Sequence, residues 1–193
     1  MTILSVNKTR DFDGRNAPIF FLEETMKTST RFLTHGALIA ALYVALTHLQ
    51  NLLLPGSATW AIQFRVSEAL CVLSLFTPAA IPGLTVGCLL FNLSWAGSLP
   101  LDFLVGSLAT FLACGSMYLL RNFRIKKLPL LALLMPALWN SLIVGWELSV
   151  YIGGGFWLNA LYVAIGEAAV LLTLGAALFY ILSAKRISRQ LFD

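Results

Sequence analysis

The feature that most constrains this fold is the nearly uncharged, apolar second half of the chain. From residue 128 to residue 184, Glu147 and Glu167 are the only acidic or basic side chains. Soluble domains carry about 25% charged residues, whereas this whole chain carries 11%. A helix needs about 20 apolar residues to cross a bilayer, so this half alone is long enough for two crossings. The sequence therefore predicts an integral membrane protein.

Turn residues divide the apolar sequence into six segments. Proline and glycine interrupt helices, and they occur in LLLPGSATW, FTPAAIPG, AGSLP and the triple glycine at 153–155. The predicted spans are residues 31–53, 61–77, 82–97, 101–120, 129–152 and 156–184. We therefore expect an all-α integral membrane bundle of six transmembrane helices.

Lysine and arginine residues indicate the orientation of these spans. They cluster in the N-terminal segment, in RNFRIKK between spans four and five, and in the tail after span six. Cytoplasmic loops carry an excess of Lys and Arg, and six spans place all three clusters on one side. We expect both termini to be cytoplasmic and the uncharged loops at 54–60, 98–100 and 153–155 to face outward.

The predicted domain organisation is one membrane domain with short flanking segments. Residues 1–29 are polar and form an N-terminal extension, residues 30–185 form the six-helix domain, and residues 186–193 form a cytoplasmic tail. MKTSTRF at Met26 resembles a natural start. We therefore expect the residues before Met26 to be peripheral, either as an extension of the protein or as vector-derived sequence.

Several function classes lack their sequence signals. There is no GxxxxGK[ST] phosphate loop, HExxH or GxSxG motif, and Cys71, Cys88 and Cys114 lack the spacing of a metal site or disulfide framework. We expect three core cysteines, no metal, no cofactor and no ATP hydrolysis by this chain. Orientation and lipid headgroups explain the basic clusters, so no nucleic-acid partner is expected.

Five acidic or basic side chains, histidine aside, lie between residues 32 and 120 or between 128 and 184: Arg65, Glu68, Asp102, Glu147 and Glu167. A charge at mid-bilayer costs about 2.5–3.5 kcal/mol on insertion scales, and such residues usually mark a site. Arg65 and Glu68, three apart in IQFRVSEAL, pair along a helix. The other acids lack an obvious protein cation. We expect them either to be protonated, because burial disfavours the charged form, or to be completed by a cationic or N–H-rich ligand.

Four further residues are candidate ligand contacts. Asn140 lies seven residues before Glu147 on span five, and Asn159 stands at the outer mouth of span six. Trp139 and Tyr162 offer flat walls for a ring. These polar and aromatic groups are expected in the outer half of the membrane, which favours an outward-facing pocket over a continuous pore.

Structural explanations remain open for most of these residues. The pair of Arg65 and Glu68 fits a purely structural ion pair, and Asp102 fits a helix cap. Asn140 and Asn159 fit interhelical hydrogen bonds. The sequence alone does not choose between these roles and ligand binding.

Small residues recur every four positions in GALIAALYVAL on span one. Gly36 and Ala40 form one series, and Ala37, Ala41 and Ala45 form another. Small residues at this spacing let a second helix approach closely. The pattern fits packing within the chain as well as contact with a partner.

Four stretches add a more specific signal: IQFRVSEALCVLSLFTPAAIPGLTVGCLLFNL, LDFLVGSLATFLACGSMYLLR, PALWNSLIVGWEL and FWLNALYVAIGEAAVLLTLG. Together, and in this order, they resemble the queuosine-precursor transporter (QueT) family over about residues 30–184. The resemblance implies a multi-pass protein of a prokaryotic cell membrane. It also implies the six-helix bundle of the S components, the substrate-binding subunits of energy-coupling-factor (ECF) transporters.

The resemblance also implies a ligand and a partner. The ligand is a deazaguanine such as 7-aminomethyl-7-deazaguanine, or queuine, captured outside. The partner is an ECF module of a transmembrane scaffold subunit and two ATPases, on which the S component docks through Ala37, Ala41 and Ala45. The family's motif positions fall on Arg65, Glu68, Asp102, Asn140, Glu147 and Glu167.

The deazaguanine suggests what the acids do, but it does not decide which acid has which role. One of Glu147 and Glu167 is expected to accept the N–H groups of the guanine edge, and Asp102 or Glu68 to balance the ammonium. Two alternatives remain: an S component for another vitamin or cationic amine, and an intramembrane enzyme using carboxylates.

Overall fold

The computed structural model describes residues 17–55, 57, 64–95, 98–124 and 128–184, with side chains described from residue 29 onward. The first 16 residues and the predicted tail at 186–193 lie outside these ranges. Of the loops predicted to face outward, those at 98–100 and 153–155 are described completely and the one at 54–60 in part.

All regular secondary structure within the described ranges is helical. The α-helices are α1 (Ala17–Leu53), α2 (Ala80–Ser94), α3 (Asp102–Leu120), α4 (Leu130–Leu133), α5 (Met135–Tyr151), α6 (Phe156–Val170) and α7 (Ala176–Ser183). A 3₁₀ helix covers Val66–Leu75, and a π-helical turn at Leu171–Gly175 joins α6 to α7. The all-helical prediction is confirmed.

Six apolar helical segments correspond in order to the six predicted spans. Four are long and apolar enough to cross a membrane: Ser29–Leu53, Asp102–Leu120, Leu130–Tyr151 and Phe156–Ser183. The second and third segments, Val66–Leu75 and Ala80–Ser94, are shorter. The predicted ends at residues 77 and 97 were therefore too late, because Thr77–Pro78 and Trp95 already lie outside these helices.

The second segment is a 3₁₀ helix of 10 residues, although such helices seldom exceed about 3–4 residues. At 3.0 residues per turn, side chains three apart lie in line. Arg65, Glu68, Cys71 and Ser74 therefore share one edge, and all four are buried. The segment turns a polar edge inward, where an α-helix would spread the same residues around its axis.

Helices α1 and α2 touch through their backbones. A Cβ atom added to Gly83 would lie 2.7 Å from the carbonyl oxygen of Gly36, and one added to Gly87 would lie 3.0 Å from that of Ala40. The series of Gly36 and Ala40 therefore serves packing within the chain. This close approach uses two glycines of α2 as the matching surface.

The interior is packed with large apolar side chains from several helices. Tyr43, Leu84, Phe91, Met117 and Leu133 are all fully buried. The three cysteines are also buried and free, as the sequence predicts. The helices are thus fixed around a tight core, and the polar side chains described next lie inside the same bundle.

Candidate functional site

The five acidic and basic side chains that the sequence singles out within the apolar segments are all buried in the bundle. Arg65, Glu68, Asp102, Glu147 and Glu167 each keep at most 6% of their accessible surface. None of these side chains is therefore exposed at the bundle surface. The buried charged residues in the described ranges comprise one basic and four acidic side chains.

Four helical segments bring these side chains together. Arg65 immediately precedes the 3₁₀ helix and Glu68 lies in its first turn, while Asp102 begins α3. Glu147 lies one turn before the end of α5, and Glu167 lies in the fourth turn of α6. Helix α5 packs against both α3 and α6, and Arg65 lies within electrostatic range of all four acids. We call these five side chains the acidic cluster.

Arg65 is the cation of the acidic cluster. It interacts electrostatically with Glu68, Asp102 and Tyr43. Its Nη1 atom lies 3.9 Å from where a Cβ of Gly106 would be. A Cβ at Gly106 would thus make ordinary contact with the guanidinium, but it would lie 2.9 Å from Asn92 Nδ2, so the glycine leaves room for Asn92 beside α3.

Both carboxylate oxygens of Glu68 accept hydrogen bonds. The hydroxyl of Tyr43 donates to Oε1 at 2.7 Å, and the thiol of Cys71 donates to Oε2 at 3.1 Å. The Cys71 contact follows from the 3₁₀ winding, which stacks residues three apart. Glu68 is thus a fixed acid, held from α1 and from its own helix.

Asp102 and Glu147 lie near helix ends, at the start of α3 and near the end of α5, and we call them the outer pair of the cluster. Asp102 Oδ2 accepts the backbone N–H of Leu99 at 2.9 Å, so it fixes the turn before α3. This is not the helix cap that the sequence suggested, because Leu101 is the N-cap of α3 and no side chain caps it. Asp102 also lies close enough to Glu147 to interact electrostatically with it. Two carboxylates therefore face each other where α3 meets α5.

Glu167 and Asn140 lie within α6 and α5, away from the ends where the outer pair lies, and we call them the inner pair. Asn140 is a close neighbour of Glu167, and Glu68 and Arg65 lie within electrostatic range of Glu167. Asn140 and Glu167 keep 2% and 1% of their accessible surfaces. The inner pair combines a carboxylate with an amide.

Five buried polar atoms of these pairs lack a hydrogen-bond partner among the residues that the structure describes. They are Oε1 and Oε2 of Glu147, Oε1 and Oε2 of Glu167, and Nδ2 of Asn140. An unsatisfied buried polar group costs about 1–3 kcal/mol, so proteins rarely keep several side by side without a use. The atoms offer four acceptors and one donor pointing into the bundle.

The remaining three predicted contacts have other surroundings. The indole N–H of Trp139 donates to Ser116 Oγ at 2.9 Å, so this contact joins α5 to α3. Asn159 Nδ2 donates to the carbonyl oxygen of Gly153 at 2.7 Å and holds the triple-glycine turn before α6. Tyr162 is half-buried on α6. Within the described part of the chain, none of these three residues makes a hydrogen bond, ion pair or ring contact with the acidic cluster.

Tyr43 contacts the cluster and is not among the residues predicted from the sequence. It lies in the middle of GALIAALYVAL, where small residues dominate the pattern. The available signal was periodic: Tyr43, Thr47 and Gln50 are polar residues spaced four and three apart in an apolar span. This spacing places them on one face of a helix.

The alanine series of α1 lies on the outside of the bundle. Ala37, Ala41 and Ala45 are exposed, whereas Gly36 and Ala40 are buried. The two series suggested by the sequence are therefore separated by the fold: one packs on α2, and the other forms an exposed strip that we call the alanine strip.

Comparison with known proteins identifies the family of this chain. Residues 33–184 match the QueT family, described as QueT transporter. No curated protein and no solved structure matches the chain. The match covers most of the chain and includes every residue of the acidic cluster and the alanine strip. With its apolar helices, this multi-pass membrane protein belongs to the QueT transporter family.

Proposed function

We propose that this protein is the S component of an ECF importer and binds 7-aminomethyl-7-deazaguanine or a closely related deazaguanine. The observation that carries the proposal is the set of buried atoms without partners on Glu147, Glu167 and Asn140. Four acceptors and one donor complement a ligand that has many N–H groups and one carbonyl. The family membership supports a transport role for this site.

The inner pair suits the guanine edge of the base. Guanine presents N1–H and an exocyclic amine side by side, and one carboxylate accepts from both. The adjacent carbonyl of the base needs a donor, which is Nδ2 of Asn140. We therefore assign the guanine edge to Glu167 with Asn140, because only this acid of the cluster has the unpaired amide beside it in the described residues.

The outer pair suits the aminomethyl group. An aliphatic amine of ordinary pKa is a cation at neutral pH, and Asp102 and Glu147 provide two neighbouring carboxylates. Among the described residues, one basic side chain, Arg65, is shared by four acids. A ligand cation next to Glu147 would compensate part of the negative charge that Arg65 leaves.

The alanine strip is the proposed docking surface for the ECF module. Small exposed residues four apart let a partner helix come close, and Ala37, Ala41 and Ala45 are exposed along α1. The proposed module consists of a transmembrane scaffold subunit and two ATPases. The membrane orientation that goes with this proposal has both termini in the cytoplasm.

The ligand is tested by titration calorimetry on the purified protein with four bases. They are 7-aminomethyl-7-deazaguanine, 7-cyano-7-deazaguanine, queuine and 7-deazaadenine. The cyano base keeps the guanine edge and lacks the cation, so we expect it to bind about 30-fold more weakly or worse, the loss of a buried charge pair of about 2–5 kcal/mol. The adenine analogue changes the edge and is expected not to bind.

The outcomes separate the parts of the proposal. Equal affinity for the aminomethyl and cyano bases would remove the outer pair from the ligand site. Binding of the adenine analogue as tightly as the guanine would remove the assignment of Glu167 and Asn140. If no deazaguanine binds but a simple cationic amine does, the protein is an S component for another ligand.

A further inference from the structure

One face of α1 is a polar strip buried against the rest of the bundle. Tyr43 and Thr47 keep none of their accessible surface, and Gln50 keeps 7%. At 100° per residue, this face is directed about 160° away from Ala41 and Ala45. Helix α1 therefore presents its alanine strip outward and its polar strip inward.

Each residue of the polar strip hydrogen-bonds the 3₁₀ helix or the chain just before it. Thr47 Oγ1 donates to the backbone carbonyl of Tyr43 at 2.7 Å, so in its 2.7 Å bond with Ser67 Oγ it accepts the Ser67 proton. Gln50 Oε1 accepts the backbone N–H of Val66 at 2.8 Å, and its amide donates to the carbonyl of Phe64. These bonds tie α1 to backbone or hydroxyl groups that lie outside the acidic cluster.

Tyr43 differs from the other two because its partner belongs to the cluster. Its hydroxyl donates to Oε1 of Glu68, whose other oxygen is already bonded to Cys71. Glu68 in turn lies within electrostatic range of Glu167. The phenol hydroxyl thus fixes the direction of an acid that faces the proposed ligand site.

We propose that Tyr43 is a positioning residue that orients Glu68 in the acidic cluster and so connects the ligand site to the helix that carries the alanine strip. The inference rests on the proposed function, since it assigns a role to a contact of that site. A bonded carboxylate keeps one direction and charge distribution, and a charge-assisted hydrogen bond is stronger than a neutral one. A ligand bound at Glu167 is therefore exposed to an electrostatic field to which Glu68 contributes, and α1 keeps Glu68 in place through Tyr43.

The test is a double-mutant cycle in ligand affinity. Tyr43→Phe removes only the hydroxyl, and Glu68→Leu removes its acceptor. We expect Tyr43→Phe to weaken binding of 7-aminomethyl-7-deazaguanine about tenfold, as for one lost hydrogen bond to a charge. In the Glu68→Leu background the same change should alter the dissociation constant less than about twofold, because the two act as one unit.

Thr47→Val is the matched control. It removes a buried hydroxyl one turn along the same face, which bonds Ser67 of the same 3₁₀ helix and the backbone carbonyl of Tyr43. Neither of these partner groups is a side chain of the cluster. We expect Thr47→Val to lower the melting temperature and leave the dissociation constant within about twofold of wild type. Equal losses of affinity in Tyr43→Phe and Thr47→Val, or additive effects in the cycle, would overturn the positioning role.

A ligand-free measurement keeps this inference separate from the proposed ligand. The same four proteins of the cycle are melted without ligand, and the shifts of Tyr43→Phe and Glu68→Leu should not add in the double variant. If wild type fails to bind the deazaguanine while these shifts remain non-additive, the ligand is wrong and the Tyr43–Glu68 unit stands. Additive melting shifts would refute that unit whatever the ligand is.

Discussion

Gly83→Ala tests the contact that sets the position of α1. The new methyl group would lie 2.7 Å from the backbone oxygen of Gly36 and 3.1 Å from its Cα atom. Backbone cannot rotate away as a side chain does, so the two helices must move apart. Reaching ordinary contact at 3.4 Å requires a shift of about 0.7 Å between α1 and α2.

The expected cost follows from two opposing contributions. Overpacking a tight contact costs about 1–3 kcal/mol, whereas alanine is more favourable than glycine in a helix by about 1 kcal/mol. Gly115→Ala, in α3, isolates the second contribution because a Cβ there meets nothing within 4 Å. The difference between the two variants should therefore equal the overpacking cost of about 1–3 kcal/mol.

Thermal unfolding of the purified protein measures this difference. For a chain of this length, 1 kcal/mol corresponds to about 2–4 °C, so Gly83→Ala should melt about 2–12 °C below Gly115→Ala. Gly115→Ala should melt at or above the wild-type temperature. If the two variants melt within about 1 °C of each other, the backbone contact between α1 and α2 is not as close as described.

Three further changes test the site and the docking surface. Glu167→Gln should weaken binding of 7-aminomethyl-7-deazaguanine about 30-fold or more in calorimetry, because an amide replaces one of the two acceptor oxygens; unchanged affinity would make Glu167 structural. Ala41→Trp should abolish co-purification with the ECF module while Leu108→Trp, at an exposed position of α3, retains it; equal yields would remove α1 from the docking face. Asn159→Ala should lower stability by about 1 kcal/mol, because the bond to Gly153 is lost; an unchanged melting temperature would show that the turn does not need it.

The number and order of the helical segments were predictable because bilayer length and helix breakers are local properties of the sequence. The conformation of residues 66–75 was not. An apolar stretch containing Glu68 and Cys71 fits one face of any helix, and the choice of 3₁₀ winding depends on contacts with α1 and α3 that sequence spacing does not reveal.

The acids of the cluster were predictable for a related reason. A carboxyl group in an apolar span is costly wherever it lies, so the sequence alone distinguishes Glu147 and Glu167 from their neighbours. Trp139 was harder, because an aromatic residue suits packing and ligand contact equally, and its bond to Ser116 depends on how α5 meets α3. Tyr43 was missed because one hydroxyl in an apolar helix is inexpensive and gives little signal.

The winding of residues 66–75 determines which way its polar groups point. In a 3₁₀ helix, Arg65, Glu68, Cys71 and Ser74 share one edge, whereas in an α-helix each step of three residues falls about 60° short of a full turn. Over the three steps from Arg65 to Ser74, that rotation reaches about 180°. A relaxation to α-helical winding would thus carry Ser74 to the side opposite Arg65 and turn Cys71 by about 60° relative to Glu68, while the sequence stays the same.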